Sequence, residues 1–210
     1  MPVIDLTHRI ENDMPVFPGT PKPVLIKSFI VERDGFAETR LTMMSHTGTH
    51  MDAPAHMLGK GSSVDQLPAE RFIGQALCLD VSHLNAIALE DLIPYQEQIS
   101  QVRFVLFSCR WDEKWGHDAY FHSFPVLTEP AAAWLLQFNL SGIGADCISF
   151  DQMSSTDYPI HRVLLGHGLL LIENLTGIAT LTGKTFDFIA APLHFTDADG
   201  APVRAFAITR

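Results

Sequence analysis

Val102-Arg103-Phe104-Val105-Leu106-Phe107-Ser108 is a short, almost continuous apolar run bounded by polar residues, and together with the next forty residues it decides the fold. A run of this length without alternation suits a strand buried on both faces. Further on, Thr128-Glu129-Pro130 opens a helix that reaches Phe138. Thr128 is an N-cap residue, Pro130 belongs in a first turn, and Trp134, Leu135 and Phe138 make one apolar stripe. Ile143 to Ile148 reads as the next strand. Strand, helix, strand in that order is a crossover, and a crossover joins parallel strands. The fold class expected is therefore α/β: mixed β-sheets packed with a few helices.

Inside that unit, Trp111 to Phe124 holds two Trp, one Tyr, two Phe and two His without either period, which predicts a long surface or active-site loop. Working outward, Ala76 to Val81 is an apolar strand, Ala88 to Ile93 a brief helix stopped by Pro94, and Leu67 to Phe72 a short helix with Pro68 in its first turn. Val24 to Glu32 and Glu38 to Ser45 are strand-like and predict a hairpin turning near Asp34-Gly35. Val3 to Leu6 is a short strand, and Asn12 to Pro23 is a stiff Pro-rich loop. Phe17 in that loop either enters the core or lines a pocket. At the other end, Phe186 to Leu193 and Val203 to Ile208 form two closing strands around a turn at Asp197-Ala198-Asp199-Gly200. No repeat or linker divides the chain, so residues 1–210 are expected to form a single compact domain.

The net charge of −10 argues against nucleic acid or an anionic membrane as partner, since both call for clustered Lys and Arg. With 47% apolar and 18% charged residues the chain has the composition of an ordinary globular protein. Its three cysteines, Cys78, Cys109 and Cys147, lie in apolar runs and suit buried thiols in a reducing compartment. Apolar runs fall short of the ~18 residues of a membrane span, and Met1-Pro2-Val3-Ile4-Asp5-Leu6 has no basic start followed by an apolar stretch, so the expected location is the cytoplasm.

Chemistry concentrates in Ser45-His46-Thr47-Gly48-Thr49-His50-Met51-Asp52-Ala53-Pro54-Ala55-His56. On a helix, His46 and His50 would share a face, but Asp52 would lie opposite and Pro54 would break the helix. On a strand, His46, Gly48, His50 and Asp52 all face one way. A flat strand would nevertheless hold His46 and His50 about 13 Å apart at Cα, too far for the ~3–3.5 Å between donors of one ion. The chain must bend, and Gly48 is where it can. Pro54 then turns the chain and presents His56 from another direction, outside the ligand set. Nitrogen and oxygen donors without a nearby thiolate suit Zn²⁺, Mn²⁺ or Fe²⁺.

His46-Thr-Gly-Thr-His50-Met-Asp52-Ala-Pro54-Ala-His56 resembles the HxGTHxDxPxH signature of the cyclase-type metal-dependent hydrolases, a family that includes bacterial kynurenine formamidases (arylformamidases). Further similarity runs through Asp5-Leu6-Thr7, Pro15-Val16-Phe17-Pro18-Gly19, Ser155-Thr156-Asp157, His161-Arg162-Val163-Leu164-Leu165, Glu173-Asn174-Leu175 and Pro202-Val203-Arg204. The resemblance implies a swivelling β/β/α type of fold and two divalent metal ions, commonly zinc, with manganese as the alternative. It implies His46, His50 and Asp52 on the first ion, Asp52 reaching the second, His161 on the second, Glu173 bridging both, and His56 as the proton-transfer residue. It also implies a homodimer or higher homo-oligomer.

His161 and Glu173 would lie about 18 Å apart along one helix, so the chain has to double back between them. Ile160 to Leu165 has helical character, Gly166-His167-Gly168 interrupts it, and Leu169 to Ile172 is a strand-like run returning Glu173. Beside that run a lone carboxylate needs a partner. The expected activity is hydrolysis of an amide bond, such as that of an N-formyl arylamine, by a metal-bound hydroxide with His56 moving the proton. The alternatives are hydrolysis of a cyclic amide, imide or lactone, or a metal-dependent binding protein without turnover. Kynurenine formamidases typically carry Trp where this chain has Phe17 and Phe where it has Met57, both in regions that would choose the substrate.

Overall fold

Alternation with both faces apolar fixes where the central strands must lie. In the computed structural model, which describes residues 1–209, Phe104 and Leu106 point to one side of their strand and Val105 and Phe107 to the other, all fully buried. The chain runs through β1 (Val3–Asp5), β2 (Val24–Phe29), a one-turn helix α1 (Val31–Asp34), β3 (Glu38–Thr42), β4 (His50–Asp52) and β5 (Ile73–Asp80). It continues through α2 (Leu89–Leu92), α3 (Gln96–Ser100), β6 (Phe104–Ser108), α4 (Glu129–Leu135), β7 (Gly142–Ala145), α5 (Pro159–Gly166), β8 (Leu170–Glu173), β9 (Thr185–Pro192) and β10 (Gly200–Ile208).

One sheet runs in the order β1-β10-β4-β8-β7-β6-β5-β9, and a further pairing of β9 with β10 closes it into a barrel. Strands β5, β6, β7 and β8 are parallel neighbours, as the crossover reading expects, while β4, β9 and β10 pair antiparallel. Ala76, Cys78, Phe104, Leu106, Ile172 and Phe188 fill the interior. Leu77, Leu79, Val105, Phe107 and Leu171 face outward and are covered by Leu92, Ile99, Leu135, Ile160 and Leu164 from the helices. Each central strand thus contributes to two cores, which is why it reads as continuously apolar.

Three local expectations change. Pro94 does not stop the helical stretch: it sits in the first turn of a 3₁₀ segment, Ile93–Tyr95, where its missing N–H is not needed, and the chain continues into α3. Strand β7 ends at Ala145 rather than Ile148, because Ala145 and Cys147 turn their carbonyls to the N–H groups of Leu175 and Asn174. The aromatic loop does not line the pocket that holds the clustered histidines; it carries Tyr120 and Phe124 into the outer core and stacks Trp115 on His8 at 3.8 Å.

Thr128 accepts a hydrogen bond from the Ala131 N–H, as an N-cap should. Strands β2 and β3 form a separate two-stranded sheet, joined by α1 and a left-handed Gly35 rather than a tight turn. All three cysteines are buried and free. Among the described residues no helix is long and apolar enough to cross a membrane.

Candidate metal centre

Strand β4 places His50 and Asp52 on one face by period two, and its antiparallel register with β8 sets His50 directly opposite Glu173. His46 precedes the strand and returns to it through a bend at Gly48, whose φ is +67. A Cβ at Gly48 would also stand 2.9 Å from the Met14 side chain, so the bend takes glycine on two counts. Asn174 locks it: its Nδ2 donates to the Gly48 carbonyl (2.9 Å), its carbonyl accepts from Thr49 Oγ1 (2.6 Å), and its Oδ1 accepts from the Tyr120 hydroxyl (2.6 Å). The bend predicted for the sequence therefore depends on residues more than fifty positions away.

His161 comes from the first turn of α5, above the outer face of the sheet. Asp151 holds it: Oδ1 accepts the Ile160 N–H, and Oδ2 accepts the His161 N–H (3.0 Å) and ring Nδ1–H (2.7 Å). His56 ends a 3₁₀ turn that begins at Pro54, and its ring lies 4.0 Å from that of His46 and 6.3 Å from that of His161. All six residues, His46, His50, Asp52, His56, His161 and Glu173, face one cavity of about 310 Å³.

The protonation of this cluster decides what it can hold. His50 donates Nδ1–H to the Gly48 carbonyl (2.8 Å), which leaves its Nε2 lone pair facing Asp52 Oδ1 and Glu173 Oε2, each at 3.4 Å. His161 donates Nδ1–H to Asp151, which leaves Nε2 facing Glu173 Oε1 (3.1 Å) and Asp52 Oδ2 (3.6 Å). Lone pairs facing lone pairs repel unless a proton or a cation stands between them. Burial opposes a proton on these rings, yet the neighbouring carboxylates prevail and hold His50 and His161 at about 10 and His46 at about 9. A divalent ion could take the position of these protons, which would leave both rings neutral.

His46 with His56 and Asp199 make one half-buried set, and two more overlap through Asp52, His46 with His50 and Asp52, and Asp52 with His161 and Glu173. Asp52 and Glu173 each offer one oxygen to either side. The donor chemistry fits divalent cations bound by nitrogen and oxygen.

The remaining wall is apolar: Phe17, Met44, Met57 and Ile148, with Thr20, Ser149 and Tyr158. Phe17 thus lines the pocket while, partly buried, it packs against the outer core. Sequence reasoning missed Asp151 and Asp199. Asp199 Oδ2 lies 3.0 Å from His46 Nε2 and 3.6 Å from His56 Nδ1, although Asp197 to Gly200 reads only as a turn. Cys109, Asp146 and Cys147 form another buried group. Burial pushes the Cys147 thiol far up and Asp146 to about 7, so the thiols stay protonated and are poor ligands.

With this geometry in hand, comparison with known proteins is specific. The family profile described as "Putative cyclase" matches residues 4–152. The kynurenine formamidase of Bacillus mycoides is 32% identical over 203 residues, 96% of this chain and 95% of that protein. A solved structure described as a "potential metal-dependent hydrolase with cyclase activity" superposes with a TM-score of 0.83 at 29% identity, covering 100% of this chain and 98% of the other. An isatin hydrolase bound to the product analogue thioisatinate superposes with a TM-score of 0.90 at 24% identity, covering 99% of this chain and 92% of the other, a likeness of fold.

Proposed function

The chain belongs to the cyclase family, and from that premise we propose that it is a metal-dependent amidohydrolase acting on a C–N bond outside peptides, with an N-formyl arylamine as substrate class. The observation that carries this reading is the pair of buried carboxylates, Asp52 and Glu173, each presenting separate oxygens to imidazoles whose lone pairs face them. His46, His50 and Asp52 would hold one divalent cation and Asp52, His161 and Glu173 a second, zinc being the ion best matched to this donor set, with manganese next. Divalent cations there supply Lewis acidity, which acidifies water and polarises a carbonyl.

The chain's own residues do the rest. Asp151 and the Gly48 carbonyl fix the tautomers of His161 and His50, so that both present Nε2 to the carboxylates. His56 is half-buried at the mouth of the cluster, with a side chain 28% exposed. Burial lowers its proton affinity, leaving a neutral ring able to take a proton from the attacking water and return it to the leaving nitrogen. Phe17, Met44 and Met57 offer an apolar wall suited to a flat aryl group.

A second copy of the chain would complete the assembly. The β2–β3 sheet is separate from the barrel sheet and exposes Val24 and Ile26 on one face and Leu41 on the other, while Phe29 and Phe36 pack together near its turn at 4.9 Å, apolar surface that a second copy would cover. Met44, exposed just beyond this sheet, also lines the pocket, so oligomerisation would narrow the entrance. The test is direct: zinc- or manganese-loaded protein is given N-formylkynurenine, a simple N-formylaniline, isatin and a small lactone. Formate release from the formyl amides supports the reading. Faster opening of isatin or lactone would move the substrate to the cyclic class, and turnover of none would leave a metal-dependent binding protein.

A further inference from the structure

The turn between β9 and β10 does more than reverse the chain. Its Asp199 is pinned on both sides: its carbonyl accepts the Ala53 N–H (3.0 Å), the neighbouring Ala198 carbonyl accepts the Val64 N–H (2.8 Å), and Gly200 pairs with Asp52. Held there, one carboxylate oxygen meets two different histidines, His46 Nε2 at 3.0 Å and His56 Nδ1 at 3.6 Å. The two rings themselves pack at 4.0 Å. His46 turns its other nitrogen, Nδ1, to Asp52 Oδ1 at 2.6 Å.

We propose that Asp199 is a positioning carboxylate shared by His46 and His56, fixing the tautomer of a metal ligand and of the proton-transfer residue with a single oxygen. Accepting Nε2–H from His46 leaves Nδ1 as the lone-pair nitrogen toward Asp52 and the first cation position. His56 Nδ1, at 3.6 Å, is beyond hydrogen-bond length from the same oxygen, so the carboxylate favours the proton on Nδ1 by its charge and leaves Nε2 to exchange protons with the reacting atoms: one proton passes from water to Nε2, and the same proton passes from Nε2 to the departing nitrogen, so the ring ends as it began. Asp199 touches neither substrate nor reacting atoms in this scheme. Its side chain is 44% exposed, so its removal leaves the core intact.

The inference rests on the proton-transfer role given to His56 under the proposed function, and the test separates the two. Asp199→Asn and Asp199→Ala are made in the parent and in His56→Ala; zinc affinity is read by chelator competition and kcat at saturating zinc. Zinc affinity of both Asp199 variants should fall about 10- to 100-fold, the usual effect of losing a carboxylate behind a ligating histidine. With zinc saturating, kcat should still be at least tenfold below the parent, and that residual loss should vanish in the His56→Ala background. Full recovery of kcat by zinc would mean that Asp199 serves His46 alone. Unchanged zinc affinity would mean that it serves His56 alone, and a kcat loss that multiplies with His56→Ala would mean that it does not act through that ring; each overturns the shared role. Parent-like activity of His56→Ala itself would instead remove the proton-transfer role on which the inference stands.

Discussion

Gly200 stands against the ring of His46 with no room for a larger residue: a Cβ there would lie 2.4 Å from His46 Cε1, 2.9 Å from its Nε2 and 2.7 Å from the Met51 carbonyl oxygen. The Met51 backbone is fixed in β4, so the ring must yield. We expect Gly200→Ala to cost about 1–3 kcal/mol of stability, as overpacking does, and to weaken zinc binding at least tenfold by displacing His46. Urea unfolding and zinc competition check both, and a variant with the parent's midpoint and affinity would show that the ring has slack.

His56 shares the cavity with the proposed ligands but its own nitrogens are not among the donors that crowd Asp52 and Glu173. Replacing it with alanine should therefore leave metal content at the parent level while kcat falls by about 10²–10⁴, the range for a lost general acid–base. Elemental analysis with steady-state kinetics makes the comparison. Loss of metal together with activity would make His56 a ligand.

Much of this arrangement was legible because local rules suffice for it. The apolar run Val102 to Ser108 and the capped helix after Thr128 announce a parallel crossover, and the parity of His50 and Asp52 announces one strand face. The Gly48 bend follows from ligand distance alone. Asp199 and Asp151 were not legible, since an aspartate in a turn or before a helix has ordinary local reasons to be there. Only the long-range pairing of β10 with β4 puts Asp199 within reach of His46, 153 positions away. The aromatic loop misled for the complementary reason: lack of period cannot distinguish residues that line a pocket from residues that plug a core.

Removing metal should leave protons in place of the cations in this cluster. Without a cation, Nε2 of His50 and of His161 takes up a proton in its place, because Asp52 and Glu173 outweigh burial and hold both rings at about 10. Chelation should lower the melting temperature, and zinc or manganese should restore it, because an ion that binds only the folded chain adds about 2.7 kcal/mol at a hundredfold excess over its Kd. A verified metal-free protein melting at the same temperature as the loaded one would count against a cation site.

Phe17 enters the pocket from a stiff loop whose turn is tied by Thr20, which donates both its N–H (3.0 Å) and its hydroxyl (2.7 Å) to the Phe17 carbonyl. The ring is thus held in place before substrate arrives. Phe17→Ala should raise KM for an aryl formamide about tenfold, corresponding to ~1.4 kcal/mol of lost contact, and leave kcat within a factor of three, since the ring contributes binding rather than chemistry. For a small aliphatic formamide the change in KM should be slight. Equal effects on both substrates would point to a disturbed loop instead of a lost aryl contact.

Asp146 offers a test that is independent of the metal. It is fully buried beyond the end of β7, where Oδ1 accepts the Cys109 N–H at 2.9 Å while Oδ2 has no hydrogen-bond partner. Burial raises its pKa from 3.8 to about 7. The folded chain therefore binds this proton where the unfolded chain has released it, so the contribution of Asp146 to stability is most favourable below about pH 4 and declines as pH rises toward and through 7. Asp146→Asn keeps the acceptor for Cys109 and removes the charge. Between pH 5 and pH 8 the stability of the parent relative to the variant should fall by about 2–3 kcal/mol. The metal site is common to both proteins, so its own pH dependence cancels in the difference. Urea unfolding at the two pH values measures it, and a pH-independent difference would mean that Asp146 is already ionised at pH 5 in the folded state.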